Sequence, residues 1–265
     1  MTQVFDDPIY DEDCYNYKRA SEANYQASPY LDTKAPITPR TRFIVIDWIA
    51  DLTYEYGYEV IVFHRAVSYF DRFMAQRPSV SVIPDVKFIG VACFYLACKF
   101  EILKLPRLQA IFSPNYDDDT KKAFYQWEMK VASSFGFDFT TVTISDFLPQ
   151  LLRIIEADQE TQELAHYLGD LSLLEYECIK IPPSIIAAGA VSLSRTLKGL
   201  SEWTPQLSEF TRYSPTSVSF RECIIILKRI YSNAPSSEFN SIYLEYEHRC
   251  KSITRLPETT LSTSV

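Results

Sequence analysis

The sequence predicts an all-α protein made of two successive helical units with a similar plan. From Thr41 onward, apolar residues recur at the 3.6-residue spacing of helices that bury one face. No segment alternates β-branched and polar residues over the length of a strand, so strands are not expected. A run of small and apolar residues that begins at Ile89 has a counterpart that begins at Ile186. The chain is therefore predicted to duplicate a five-helix unit of about 95 residues.

The first unit follows a polar N-terminal segment. Residues 1–40 are predicted to hold one short helix over Asp11–Glu22 and a proline-containing connector over Ser28–Arg40. The unit itself is assigned to residues 41–139. Its helices are predicted over Thr41–Tyr56, Val60–Met74, Asp85–Glu101, Leu108–Phe112 and Asp118–Ser134.

The second unit repeats this order over residues 140–235. Its third helix, like that of the first unit, is rich in small and apolar residues, which lets neighbouring helices approach it closely. Residues 236–265 are predicted to form a C-terminal helix and a tail. The helices of this unit are predicted over Ser145–Ala157, Glu160–Leu174, Pro183–Leu197, a short stretch near Leu207, and Ser217–Tyr231.

Composition and missing motifs argue against catalysis and nucleic-acid binding. The 265 residues include 26 Lys and Arg against 34 Asp and Glu, a net charge of −8, without a basic cluster to hold a nucleic-acid backbone. The three histidines are scattered, and no glycine-rich phosphate loop or metal-binding motif is present. The acidic run Asp117–Asp119 suits the start of a helix better than a cation site. We therefore expect no enzyme activity, cofactor or metal.

The cysteines and the apolar segments indicate an intracellular protein. The six cysteines include no CxxC pair, and the first residues are acidic, unlike a signal peptide. The longest uncharged apolar run, Phe88–Cys98, is too short to cross a bilayer. We expect the chain in the nucleus and cytoplasm, without membrane contact.

Five Ser/Thr-Pro pairs carry two interpretations. A hydroxyl residue followed by proline can begin a helix, or it can be the target of a proline-directed kinase. Helix initiation is favoured for the second, fourth and fifth pairs because each precedes a predicted helix. The pairs are Ser28-Pro29, Thr38-Pro39, Ser113-Pro114, Thr204-Pro205 and Ser214-Pro215.

Several ordered motifs resemble one family. Thr41–Ile49 resembles M-R-A-I-L-V-D-W-L, the signature that opens the cyclin box, and Ala66–Phe73 resembles A-V-N-Y-I-D-R-F. Phe88–Glu101 is similar to L-V-G-x-A-x-x-L-A-S-K-F-E. Further likenesses lie at Trp127–Met129, Phe137–Phe139, Gly169–Leu174, Pro183–Ala187 and Leu256–Leu261. The chain is thus identified as a member of the cyclin family, most similar to the A and B types.

The resemblance implies two tandem five-helix boxes and a regulatory role in the cell cycle. Cyclins bind a cyclin-dependent protein kinase and hold its αC helix inward, which completes the Lys–Glu ion pair that positions ATP. By their positions in the motifs, Lys99 and Glu128 correspond to the charged pair that cyclins place beside that helix. Read without the family, they are only solvated surface charges. The other kinase-facing positions are Phe100, Glu101, Ala132 (where a Leu is usual), Phe137, Phe139, Cys14 (where an Ile is usual) and Tyr17.

The resemblance also implies a patch that docks R-x-L peptides of substrates or inhibitors. Its positions are Thr41 (where a Met is usual), Ile44, Val45, Trp48, Asp51 and Lys87 (where a Gln is usual). The alternative is that Trp48 belongs to the core. Arg42, Asp47 and Asp71 fall on charged positions that we interpret as an internal ion network.

A non-activating interaction module with the same fold, of a transcription or scaffold type, remains the alternative function. It would favour a basic face, which this acidic chain lacks.

Overall fold

The computed structural model describes residues 8–31, 37–76, 83–101, 104–114 and 116–254. Part of the predicted connector, the start of the N-terminal segment and the tail after Thr254 lie outside the described residues. Within the described ranges the chain is helical and contains no strand, which confirms the all-α prediction.

Six helices precede the middle of the chain and seven follow it within these ranges. The first six are α1 (Pro8–Tyr25), α2 (Pro39–Glu55), α3 (Val60–Ala75), α4 (Ile83–Glu101), α5 (Leu108–Phe112) and α6 (Asp118–Ser134). The others are α7 (Leu148–Ile154), α8 (Gln159–Leu174), α9 (Pro183–Leu197), α10 (Pro205–Thr211), α11 (Val218–Asn233), α12 (Ser241–Arg249) and α13 (Lys251–Thr254).

Two elements differ from their predicted bounds by more than two residues or by a division. Helix α1 runs longer than the predicted Asp11–Glu22. The predicted helix Ser145–Ala157 divides into a 3₁₀ turn, Ile144–Asp146, and α7. Pro149 explains the division. A proline has no backbone N–H to donate within a helix, so it is tolerated only in the first turn, and Pro149 lies in the first turn of α7.

Each unit is built around one helix buried on nearly all sides. Helix α4 packs mainly against α3 and α6, and every residue from Ile89 to Cys98 is buried. Helix α9 packs mainly against α8 and α11, and its residues from Ile186 to Ser194 are buried. The two central helices are the pair that the internal sequence match aligned.

Gly90 allows α2 to approach α4 closely. A Cβ atom added at this position would lie 2.7 Å from Val45 Cγ1, shorter than van der Waals contact allows. Gly90→Ala is expected to lower the melting temperature, because overpacking costs about 1–3 kcal/mol and outweighs the helix propensity of about 1 kcal/mol gained over glycine. Thermal unfolding followed by circular dichroism measures this, and Val45→Ala in the same chain should relieve much of the loss. A melting temperature that rises in Gly90→Ala would contradict the close contact.

Helix α1 and the residue that follows it are held against the second unit by hydrogen bonds and an aromatic contact. Glu22 is buried, and its carboxylate accepts hydrogen bonds from the Ser184 backbone N–H at 2.9 Å and from the Ser184 hydroxyl at 2.7 Å. Burial raises the pKa of Glu22, and these hydrogen bonds counter the rise. Gln26 donates to the Ile179 carbonyl at 2.8 Å, and the Tyr15 ring packs against Phe147. The orientation of α1 is therefore set by the start of α9.

A buried ion pair ties the start of α2 to α3. The Arg42 guanidinium donates to both carboxylate oxygens of Asp71, at 2.8 and 2.7 Å, and to the Leu174 carbonyl at 3.2 Å. The Tyr30 hydroxyl donates to the same carboxylate at 2.8 Å. Burial by itself would lower the pKa of Arg42, but the Asp71 carboxylate outweighs it and raises that pKa. The pair thus joins the connector and both units.

Asp47, which the sequence grouped with this pair, lies in a different contact. Its carboxylate accepts hydrogen bonds from the Ser241 backbone N–H at 3.0 Å and the Ser241 hydroxyl at 2.8 Å, at the start of α12. The grouping fails because Asp47 lies more than one helical turn after Arg42 and faces α12, which packs on α2. Asp47 therefore anchors the C-terminal helix.

A second buried polar cluster joins the two units. His64 on α3 lies 2.8 Å from Asp170 on α8, and the Tyr246 hydroxyl donates to the other oxygen of Asp170 at 2.8 Å. The Tyr54 hydroxyl donates to that oxygen at 3.2 Å. Because buried polar groups are costly unless satisfied, this cluster selects one relative placement of α2, α3, α8 and α12.

Candidate functional site

The charged pair predicted from the motifs is formed at the surface. Lys99 lies in the last turn of α4 and Glu128 on α6, two helices that pack together. Lys99 Nζ is 2.7 Å from Glu128 Oε1, and the two side chains are 44% and 12% exposed. The contact holds both groups in a fixed geometry before any partner binds.

Arg65 of α3 supports the same end of α4, although no sequence motif pointed to it. It forms an ion pair with Glu101, and its guanidinium carbon lies 4.9 Å from the centre of the Phe100 ring. A cation–π contact of this kind holds an aromatic ring that is otherwise half exposed. The available signal was an arginine within the mostly apolar first half of α3.

Exposed aromatic side chains lie at the positions named for a partner. Tyr17, Phe100 and Phe137 are 75%, 51% and 60% exposed, whereas large apolar side chains are usually buried. Phe137 also adopts a left-handed backbone conformation, φ 62°, directly after Gly136 at φ 59°. A bulky residue held in this region stores strain, a feature that clusters at functional sites.

The remaining predicted positions are less accessible. Ala132 is buried and Phe139 is partly buried against Tyr69, with ring centres 5.9 Å apart. Cys14 is half-buried on α1. Of these three, Ala132 offers a partner the least area.

Two further exposed side chains on α6 were missed. Tyr125 and Met129 lie one helical turn apart beside Glu128, and both are about half exposed. The opposite face of α6 already buries Phe124, Trp127 and Val131. The signal in the sequence was therefore a second apolar stripe on a helix whose first stripe forms the core.

The predicted docking patch is smaller than its sequence suggests. Ile44 is 37% exposed and Trp48 is half-buried, but Val45 is buried against α4. Lys87 Nζ lies over the Trp48 ring, 4.8 Å from its centre. The surface thus combines an apolar ridge with an ammonium group held across its aromatic face.

The two polar members of this patch, Thr41 and Asp51, differ in whether their polar groups are already hydrogen-bonded. The Thr41 hydroxyl lies 2.8 Å from the hydroxyl of Thr38, the residue that caps α2, so its polar group is already engaged. Asp51 is exposed, one turn after Trp48. Asp51 therefore supplies an accessible carboxylate at the edge of the patch.

Neither a membrane span nor a metal centre is found in the described part of the chain. No helix there is long and apolar enough to cross a bilayer. No group of three or more His, Cys, Asp or Glu side chains there could hold a metal ion.

Comparison with protein families matches both halves of the chain. The family model for the cyclin N-terminal domain matches residues 13–140, and the model for the cyclin C-terminal domain matches residues 142–259. Together they account for nearly all of the chain.

Curated relatives carry A- and B-type cyclin names. The chain is 32% identical to cyclin-A2 of Bos taurus over 246 residues, which is 91% of this chain and 56% of that protein. It is 29% identical to G2/mitotic-specific cyclin-A of Hydra viridissima, over 93% of this chain and 59% of that protein. Cyclin-B1-5 of Oryza sativa subsp. japonica is 25% identical over 89% of this chain and 52% of its own length. The chain spans a little over half the length of these relatives.

A solved structure shares the fold. A viral cyclin from herpesvirus saimiri superposes with a TM-score of 0.69 at 18% identity, over 86% of this chain and 98% of the viral one. The two family matches, the named relatives and the duplicated helical architecture agree with the motifs read from the sequence. The chain belongs to the cyclin family.

Proposed function

We propose that the chain is the regulatory subunit of a cyclin-dependent protein kinase, which it binds and activates in cell-cycle control. The observation that carries this proposal is the Lys99–Glu128 pair, formed in the free chain and accompanied by exposed aromatic side chains on α1, α4 and the turn after α6. The mitotic names of several relatives support the cell-cycle role.

The physical basis of activation is a population shift. A kinase exchanges between states in which its αC helix lies outward or inward, and only the inward state places the αC Glu against the β3 Lys. A subunit that binds the inward state more tightly shifts the population toward it by its difference in affinity. A surface whose charges are already paired and whose aromatic rings are already held loses little entropy on binding.

Reconstitution with purified cyclin-dependent kinases tests this proposal. The purified chain is mixed with individual kinases, binding is measured by calorimetry, and activity is measured on a short peptide substrate. We expect a one-to-one complex with at least one kinase and a large rise in its activity. Binding without activation would favour the non-activating interaction module, and absence of binding to every kinase would contradict the proposal.

We further propose that the patch around Ile44 and Trp48 docks R-x-L segments of substrates or inhibitors. Its support is an apolar ridge with the accessible carboxylate of Asp51 at its edge, a partner for the peptide arginine. Lys87 opposes this mode, since its ammonium lies over Trp48.

Trp48→Ala is expected to weaken phosphorylation of a substrate that carries an R-x-L segment. Truncating an aromatic anchor commonly costs about 2 kcal/mol, or roughly thirtyfold in affinity. Competition between substrates with and without the segment measures the effect, and the short peptide without it serves as the control. Equal losses on both substrates would assign Trp48 to the core or to the kinase contact.

Lys87→Gln is expected to act in the opposite direction and strengthen docking, because it removes the competing cation.

A further inference from the structure

The structure separates the five Ser/Thr-Pro pairs by what their hydroxyl groups do. The hydroxyls of Thr38 and Thr204 accept hydrogen bonds from backbone N–H groups at the starts of α2 and α10, at 3.1 and 3.2 Å. The Ser214 hydroxyl lies 2.7 Å from that of Thr216, and α11 begins only after Ser217, so Ser214-Pro215 does not begin this helix as predicted. Among the described residues, the hydroxyls of Ser28 and Ser113 have no hydrogen-bond partner, so these two hydroxyls are not engaged at all.

Ser28 lies in an accessible, extended segment. Residues 26–31 follow α1 without regular secondary structure, and both Ser28 and Pro29 are exposed. A proline-directed kinase must reach both the serine and the proline that follows it, and this segment meets that requirement.

An arginine without a carboxylate partner lines the same hollow as Ser28. The hollow is open to solvent, has a volume of about 420 Å³, and is also lined by Gln76 and Ser134. Arg72 lies there with its guanidinium carbon 4.6 Å from the centre of the Phe135 ring and 5.6 Å from that of Tyr25, and it donates to the Thr140 carbonyl at 3.1 Å.

The charge of Arg72 is poorly compensated. No carboxylate oxygen of the described residues forms an ion pair with it within 4.0 Å. Asp138 carries a charged carboxylate near enough to affect Arg72 electrostatically, but it forms no ion pair with Arg72 and accepts a hydrogen bond from the Thr140 N–H at 2.9 Å. Burial lowers the pKa of the Arg72 guanidinium, and the nearby Asp138 carboxylate offsets this lowering only in part.

We propose that Ser28 is a phosphorylation site for a proline-directed protein kinase and that Arg72 binds the resulting phosphate. The kinase transfers the γ-phosphoryl group of ATP to Ser28 Oγ. A bond forms between this oxygen and phosphorus, the bond from phosphorus to the leaving ADP breaks, and the hydroxyl proton passes to a base of the kinase. The phosphate adds about two negative charges and three acceptor oxygens, which match the donor fork of an arginine.

This contact would fasten the segment after α1 to α3. Gln26 already holds that segment to the second unit through the Ile179 carbonyl. A phosphate on Ser28 bound by Arg72 adds a link to the first unit, so that α1 is clamped between the two. The inference does not depend on the proposed function, because it concerns the chain alone.

The first experiment asks whether the folded chain is modified at Ser28. The purified chain is incubated with a mitogen-activated protein kinase and MgATP, and phosphorylated sites are mapped by mass spectrometry over time. We expect Ser28 to be modified faster than Thr38, Thr204 and Ser214. An unmodified Ser28 under conditions that modify any of these three would overturn the first half of the proposal.

The second experiment asks whether Arg72 receives the phosphate. Phosphoserine is incorporated at position 28 during translation, and its second pKa, about 6 when free, is measured by ³¹P NMR. We expect this pKa to fall in the wild-type background, to fall less in Arg72→Lys, and to return toward about 6 in Arg72→Gln. The melting temperature should rise by about 2 °C or more on phosphorylation only when Arg72 is present.

Phosphoserine at position 113 is the matched control, and its pKa should not respond to Arg72→Gln. Each background is compared with and without its phosphate, so a change in stability caused by the arginine substitution itself cancels. Equal phosphoserine pKa values at position 28 in wild type and Arg72→Gln would overturn the assignment of Arg72.

Discussion

Replacing Lys99 or Glu128 with alanine is expected to reduce kinase binding and activation at least about tenfold. Truncating one member of a hydrogen-bonded charge pair that a partner desolvates costs about 2–5 kcal/mol, because the other charge is left unpaired in the interface. In the free chain the pair lies at the surface, with Lys99 Nζ 2.7 Å from Glu128 Oε1. The melting temperature of the free chain should therefore change little, since exposed ion pairs contribute at most about 1 kcal/mol.

Helix α6 supplies a matched control for this experiment. Lys122 forms an ion pair with Asp119 at 3.4 Å, and both side chains are largely exposed. Lys122→Ala removes a lysine charge, as Lys99→Ala does, from the helix that carries Glu128, so it should leave kinase binding within about twofold of wild type. Binding is measured by calorimetry, and its dissociation rate by surface plasmon resonance, where most of the change is expected.

A double-mutant cycle tests whether the two residues act together. Lys99→Ala combined with Glu128→Ala should lose less than the sum of the two single losses, because paired residues couple. Normal activation by either single variant would show that the kinase binds elsewhere. A single variant that unfolds would instead assign the pair to the core.

Breaking the Arg42–Asp71 pair is expected to be the most destabilising single change. Both side chains are buried, at 3% and 8% exposure, and the guanidinium contacts both carboxylate oxygens. Arg42→Ala leaves the Asp71 carboxylate buried without its counter-ion, at a cost of about 3–5 kcal/mol. For a chain of this size the melting temperature should fall by roughly 10 °C.

A neighbouring ion pair on the same helix provides the comparison. Arg40 lies two residues before Arg42 and pairs with Glu238 at 2.8 Å, but both of these side chains are about two-thirds exposed. Arg40→Ala should therefore shift the melting temperature by at most a few degrees. Equal shifts in the two variants would mean that burial does not set the strength of the Arg42 pair.

Tyr30→Phe should lower the melting temperature less than Arg42→Ala does, because it removes one hydrogen bond, worth about 1 kcal/mol, and no charge.

Local patterns in the sequence predicted most of the helices and the duplication. Apolar spacing of 3.6 residues predicts a helix wherever one face is buried, and it located α2, α3, α4 and α6 closely. The prediction was weakest where a proline interrupts the pattern, as at α7, since periodicity alone does not report a missing N–H group.

The contacts among the charged and aromatic residues of the candidate site could not be predicted from local sequence patterns. The motifs placed Lys99 and Glu128 on different helices, and the packing of α4 on α6 brings their side chains together. Arg65 and Phe100 meet through the packing of α3 on α4, and no motif pointed to Arg65. Asp47 and Asp71 look alike in the sequence, yet one holds Ser241 of α12 and the other holds Arg42.

The sequence by itself therefore determined the helical class, the repeated order of helices and the family. These depend on spacing within short segments, where side-chain period follows from the geometry of one helix. The tertiary structure decided which charges pair, which of the predicted contact residues remain exposed, and which Ser/Thr-Pro pair lies beside an arginine that forms no ion pair with a described carboxylate. Such contacts join residues far apart in the chain, and their geometry is set by how whole helices pack, which no local pattern encodes.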